Sequence, residues 1–310
     1  MKRILLPLMA AVVLFASCNQ YEKTPTGLKY KIDRGSSKDL LKQGQFVKMH
    51  VSYTLAGKDS SLSTSFGHIP VYFQVDSVSA ARSKHNFVEI LTKLAPGDKA
   101  EFVMSVDSLK NMGMLEYNNI FKQKDNINGK AEILKTFTNQ DEMMADYQKE
   151  MKLEVDREDK EVQDFIKSKG AKAKKTASGA YVEITEPGVG PKADSGMQIS
   201  VLYRGTFTDG KRFDGNMDKD SPNKEPLRFV IGTESVIKGM DETLREFAKG
   251  GKGKLFVPAM LGYGPNGRAP VVPAYKTLCF DIEVLDVSKP APAPVPAGPQ
   301  GAQFPPQGQQ

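Results

Sequence analysis

The chain repeats itself. Gly27-Leu28-Lys29-Tyr30-Lys31-Ile32 returns as Gly179-Ala180-Tyr181-Val182-Glu183-Ile184, and Val51-Ser52-Tyr53 returns as Val201-Leu202-Tyr203. The run from Phe87-Val88-Glu89-Ile90-Leu91 to Gly97-Asp98-Lys99 returns as Met240-Asp241-Glu242-Thr243-Leu244 to Gly250-Gly251-Lys252. The offset stays between 150 and 153 residues, whereas a solenoid repeats every 20–50 residues or so, and the pattern therefore predicts two copies of one domain. Within the second copy, residues 198–203 and 254–257 alternate as strands do, and 227–231 and 278–287 read as further strands. Met240, Leu244 and Phe247 recur at helical spacing between Gly239 and the stop at Gly250-Gly251. One short helix across an antiparallel sheet is the economical way to bury both, an α+β fold.

Composition narrows the chemistry. Of 310 residues, 39% are hydrophobic, enough for packed cores. Two cysteines (Cys18, Cys279) make no disulfide framework, and with only His50, His68 and His85 beside them a zinc site is disfavoured. Catalysis by a Cys or His nucleophile, a metal or a cofactor is therefore not expected. The net charge of +6 is spread over mixed-sign stretches rather than gathered in one basic patch, so no nucleic-acid partner is expected.

The ends read as separate from the fold. Met1-Lys2-Arg3 precedes a 12-residue apolar run from Ile4 to Phe15, then Ala16-Ser17 and Cys18. Residues 1–17 have the layout of a secretory signal and are too short for a membrane span. Phe15-Ala16-Ser17-Cys18 resembles a bacterial lipobox, with Phe15 where that pattern usually has Leu. It implies lipidation of Cys18, a tether over 18–23, and a place in the bacterial envelope, at the outer membrane. An ordinary signal peptide with Cys18 as a spare thiol is the other reading.

Between the copies (24–138 and 174–288) lies a linker, 139–173. Met144, Tyr147, Met151, Val155, Val162, Phe165 and Ile166 form an apolar stripe there. Asn139 with Glu142 reads as a capping box, and Gly170 as the end of a helix over 139–169. The stripe either packs on its own chain or pairs two chains as a homodimer. The segment 289–310 has no charge after Lys289, and 7 of its last 21 residues are proline, so it is expected to be extended and mobile.

The second copy holds an ordered series: Tyr203-Arg204-Gly205, Phe213-Asp214-Gly215, Val236-Ile237-Lys238-Gly239, Gly262-Tyr263-Gly264 and Val271-Val272-Pro273. In order and spacing it closely resembles the FKBP-type peptidyl-prolyl cis-trans isomerases over about 176–288. The resemblance implies a half-barrel of strands wrapped on one helix, with an apolar proline pocket between them. It implies a pocket lined by Tyr203, Phe213, Val236, Ile237, Val272 and Phe280, with Asp214 at the rim and Tyr263 donating its hydroxyl to the substrate carbonyl. Met240 stands where the family commonly has Trp, and Leu227 where it often has Phe. Taken singly, most of these are ordinary core residue types; the shared order is what makes them a site.

In the first copy Tyr53 matches Tyr203, Phe66-Gly67 falls at the Phe-Asp step, and Ser83-Lys84 falls where Val236-Ile237 should be. A lysine there puts charge into an apolar cleft, which is costly. This copy is read as degenerate, kept for binding or assembly. The whole is expected to be a tethered isomerase acting on proline-containing unfolded or partly folded exported polypeptides. The alternative is a noncatalytic peptide-binding module or holdase whose cleft Met240 and Leu227 have loosened.

Overall fold

The computed structural model describes residues 20–57, 61–76, 84–268 and 270–290. The expected signal 1–17, the lipidation site Cys18, Ser83 and the tail from Ala291 onward lie outside them. Two compact units divide between Glu154 and Val155.

In the first unit seven strands pair antiparallel: β1 (Glu22–Lys23), β2 (Lys29–Asp33), β3 (Phe46–Leu55), β4 (Ser61–Thr64), β5 (Val71–Gln74), β6 (Lys99–Ser105) and β7 (Asn126–Phe137). Their order is β1-β2-β6-β7-β3-β4, with β5 also on β3. The second unit has β8 (Lys174–Lys175), β9 (Tyr181–Glu186), β10 (Gln198–Phe207), β11 (Arg212–Gly215), β12 (Leu227–Val230), β13 (Lys252–Val257) and β14 (Leu278–Ser288). Its order, β8-β9-β13-β14-β10-β11 with β12 on β10, is the same strand for strand. A 3-10 turn over Phe87–Lys93 and a short helix α1 (Val106–Asn111) also belong to the first unit. Helix α2 (Gln140–Ser168) follows, and α3 (Lys238–Leu244) lies in the second unit. The fold is α+β.

Alternation builds the core of each sheet. In β14 Leu278, Phe280, Ile282 and Val284 point inward, and in α3 Met240 and Leu244 meet them together with Phe247, all nearly inaccessible. Gly239 makes this contact close: a Cβ there would stand 2.4 Å from a methyl of Val257 on β13. No larger residue fits without a shift of the Val257 side chain or of the helix.

The register corrects the sequence alignment. β3 and β10 are both ten residues long and carry the same irregularity against their central partner, between Lys48 and Met49 and between Ser200 and Val201. Counting from it, Val51 is the counterpart of Tyr203, and Tyr53, opposite Gly129, is the counterpart of Gly205, opposite Phe280. Likewise Leu62 and Ser63 on β4, not Phe66-Gly67, stand where Phe213 and Asp214 stand on β11. The alignment had slipped by two residues in β3. Such a slip leaves every side chain on its own face, so alternation does not reveal it.

Helix α2 begins as expected, with Asn139 Oδ1 accepting the Glu142 N–H at 2.9 Å. It ends with Gly170 at φ +64° and the Ala171 N–H reaching back to the Ile166 carbonyl at 3.1 Å. Only part of the apolar stripe is used. Val162 and Ile166 bury against Tyr181 and Phe256 in the second unit. Tyr147 packs edge-on against Tyr72 in the first, whereas Met144 and Val155 are exposed. The first half is held instead by polar contacts: Lys48 Nζ pairs with Asp146 at 2.8 Å and Glu150 at 2.6 Å, and His68 Nδ1 lies 3.0 Å from a Glu154 carboxylate oxygen.

Candidate active site

The cleft is lined from β10, which pairs with β14 along its whole length on one edge and is shared by β12 and β11 on the other. Tyr203 is presented by β10, Phe213 and Asp214 by β11, Leu227 by β12 and Phe280 by β14. Val236 and Ile237 precede α3, which supplies Met240 as a nearly buried floor. These residues, with Ser235, Tyr263 and Arg268, enclose a cavity of about 160 Å³. Drug-sized ligands occupy pockets of roughly 300–1,000 Å³, so this one suits a single small ring and its flanking amide. A larger groove of about 470 Å³, with Cys279 and Phe256 in its lining, has mixed charges and none of the Tyr263 or α3 groups. Volume alone does not find the site.

Three aromatic rings set its wall. Phe213 crosses Phe280 at 80° with centroids 5.8 Å apart, and Tyr203 lies 6.2 Å from Phe280. Phe207 stacks behind Phe213 at 4.9 Å. Such arrangements add to simple burial because ring edges are positive and faces negative. The Tyr203 backbone is pinned by Asn216, a buried residue whose Oδ1 accepts the Tyr203 N–H at 2.7 Å. The Asn216 amide donates to the Glu225 and Val201 carbonyls at 2.9 and 3.3 Å. Burial, and then the Asp214 carboxylate, push the Tyr203 phenol up to about 12, so it stays a neutral donor at physiological pH.

The loop before α3 is held by Asp241. Its Oδ1 accepts the Gly232 N–H and its Oδ2 pairs with Arg245, both at 2.7 Å. Tyr263 enters from the opposite side, between the 3-10 turns Ala259–Leu261 and Gly264–Asn266. Its partly buried ring packs on the second unit's core.

Nine of the ten residues expected at the site meet in this one cleft. Val272 does not. It is 2% exposed and packs within the core, and its backbone exchanges hydrogen bonds with Arg268, at 2.7 Å through its carbonyl and 2.8 Å through its N–H. Its role is to close a tight turn beneath the rim. Sequence reasoning missed Arg268, Ser235 and Asn216. Asn216 follows the Phe213-Asp214-Gly215 step directly, and an amide residue placed there was the available signal.

The first unit lacks these groups at the matching positions. By register, Val51 replaces Tyr203, Leu62 replaces Phe213, Ser63 replaces Asp214, Val71 replaces Leu227 and Gly129 replaces Phe280. A Cβ on Gly129 would lie 2.1 Å from the Phe102 ring, which fills the interior there. Lys84, expected to intrude on the cleft, is exposed. His85 is buried, its Nε2 accepting the Ser105 N–H at 2.8 Å and its Nδ1 facing the Thr26 carbonyl at 3.2 Å, a packing role. One tie survives in both units: the Val51 N–H donates to Ser65 Oγ at 2.9 Å as the Tyr203 N–H does to Asn216.

The second unit thus sets an antiparallel sheet over a short helix, with an aromatic cleft that carries a rim carboxylate and a tyrosine hydroxyl. The profile of the FKBP-type peptidyl-prolyl cis-trans isomerases matches residues 190–285. The FK506-binding protein of Neisseria meningitidis serogroup B (strain ATCC BAA-335 / MC58) is 38% identical over 109 residues, which is 35% of this chain and 96% of that protein. The chain belongs to the FKBP-type peptidyl-prolyl cis-trans isomerase family and is an enzyme of that class. The FKBP-type peptidyl-prolyl cis-trans isomerase FkpA of Escherichia coli (strain K12) is 41% identical over 128 residues, 41% of this chain and 44% of that one. The crystal structure of FkpA from Escherichia coli covers 48% of this chain and 70% of its own, at 31% identity and a TM-score of 0.37.

Proposed function

We propose that the isomerase acts in the cell envelope on exported polypeptides, through the cleft of the second unit, with Tyr263 as hydroxyl donor to the substrate carbonyl. The observation that supports this reading is the convergence of Tyr203, Phe213, Met240, Tyr263 and Phe280 on one small cavity. Rotation about a peptide bond faces a barrier of about 18–20 kcal/mol because resonance is lost at the twisted point. The planar amide is the more charge-separated form, so an apolar cleft that strips water from it favours the twisted one. A hydroxyl held at the carbonyl fixes one end while the prolyl ring turns against the aromatic wall. Four to six decades of acceleration need about 5.5–8 kcal/mol at 1.36 kcal/mol per decade, which orientation and desolvation together supply.

The domain limits 24–138 and 174–288 and the lipidated Cys18 belong to the same proposal. In it the first unit is a degenerate copy that binds or assembles, helix α2 being its route to a homodimer, and Cys18 tethers the chain to a membrane. Val51, Leu62, Ser63 and Gly129 at the cleft positions support a noncatalytic first unit. No described helix is long and apolar enough to cross a membrane.

The test is the rate of X-Pro isomerisation by the whole chain and by its Tyr263→Phe, Asp214→Ala variant. Loss of most of the rate with peptide binding retained supports both the donor and the silent first copy. Full activity in that variant moves catalysis elsewhere, and peptide binding without any rate in the unaltered chain favours a holdase.

A further inference from the structure

The rim of the cleft carries a cation that the sequence series did not point to. Arg268 lies in the tight turn closed by Val272, and Gly267 before it has φ +61°, where a Cβ would stand 2.4 Å from the Val272 carbonyl oxygen. The arginine's backbone is thus held in place. Its guanidinium carbon sits 5.3 Å from the centroid of the Tyr263 ring, a cation–π contact, and a guanidinium nitrogen is 3.7 Å from Asp214 Oδ2.

Two features make this more than a surface charge. The side chain is 49% exposed while lining the cleft, so a bound peptide meets it. A contact of 3.7 Å is longer than a hydrogen bond, so Asp214 does not consume the guanidinium fork, which presents five N–H donors matched to a carboxylate. Stacking on Tyr263 also restrains the side chain, which lowers what it loses on pairing.

We propose that Arg268 is a specificity-determining residue of the isomerase, favouring segments in which an acidic residue directly adjoins the proline and disfavouring lysine there. This rests on the cleft being the isomerase site. Asp214 offsets part of the charge and water screens the rest, so the preference is a few-fold rather than absolute.

The whole chain is assayed at low salt on two peptide series, Ala-X-Pro-Ala and Ala-Ala-Pro-X, with X as Glu, Gln or Lys, by an exchange method that needs no coupling protease. The readout is the ratio of kcat/KM for Glu over Lys, in which any general loss from altered Tyr263 packing cancels. In one of the two series the ratio is expected to be about 2–5, to fall to about 1 in Arg268→Gln and below 1 in Arg268→Glu, and to be largely restored by Arg268→Lys. Ratios that stay the same across these variants in both series, with isomerisation present, overturn the proposal. No rate on any peptide overturns the isomerase reading of the cleft first, and is told apart by that absence.

Discussion

The ring of Phe213 lies over Gly205, its Cζ only 2.8 Å from where a Cβ of that residue would stand. Paired directly with Asp214 across β10 and β11, Gly205 leaves the space in which the aromatic wall of the cleft rests. In the first unit the same strand position is Tyr53, and the partner opposite has become Gly129, so bulk and space have changed sides. Tyr53 meets Phe102 edge-on at 5.8 Å instead of opening a cleft.

Gly205→Ala is expected to cost activity more than stability. Phe213 cannot simply yield, because Phe207 stacks on it and Phe280 crosses it. The ring moves toward the cavity, and overpacking costs about 1–3 kcal/mol. Thermal denaturation should show a modest loss, while kcat/KM on X-Pro peptides falls by about tenfold or more, since 1.36 kcal/mol of misplacement is one decade.

Asn216→Ala strips an acceptor from the Tyr203 N–H and a donor from the Glu225 and Val201 carbonyls. One buried polar group left unpaired costs about 1–3 kcal/mol, so urea denaturation should register at least that loss. Asn216→Ser, which places at this position the residue found at 65 in the first unit, returns an acceptor to Tyr203 and should lose less.

Met240→Ala opens the floor of the cleft. Met240 is 3% exposed, and truncating a buried Met costs about 2–5 kcal/mol through the cavity left behind. Peptide KM should rise as the prolyl ring loses its base, a change steady-state kinetics separates from kcat.

Cys279 makes stability fall in alkali. Burial, and then the Asp281 carboxylate, push its thiol up to about 12 from an ordinary 9.0. Below pH 9 both folded and unfolded chains keep the proton, and this contribution to stability is complete. Above it the unfolded chain releases the proton first, so stability drops by about 1.4 kcal/mol per pH unit until the folded thiol titrates. Denaturation at pH 8.5 and 10.5 should show a steeper fall in the unaltered chain than in Cys279→Ala. Equal slopes would mean the thiol is not held protonated.

Much of the fold was legible because its signals are local. Alternation in 278–287, the cap at Asn139 and the glycine at 170 each act within a few residues, and the structure has elements there as expected. Helix α2 was legible in extent but not in its packing, since Asp146, Glu150 and Glu154 hold its first half through Lys48 and His68 while Met144 and Val155 stay exposed. An acidic face looks solvated until the side chains that pair with it are placed against it.

The amino-acid sequence by itself determined that there are two copies of one α+β plan, and its ordered motifs, through their resemblance to a family, named nine residues that meet in one cleft. Strand periodicity and ordered motifs survive without knowledge of what lies opposite. Only the tertiary structure decided which residues correspond between the copies, that Val272 supports the rim rather than lines the cleft, and that Arg268 stands over Tyr263 beside Asp214. Register is set by hydrogen bonds between strands some 75 residues apart, as between Tyr53 and Gly129. A two-residue slip conserves every face, so nothing within a single strand records it.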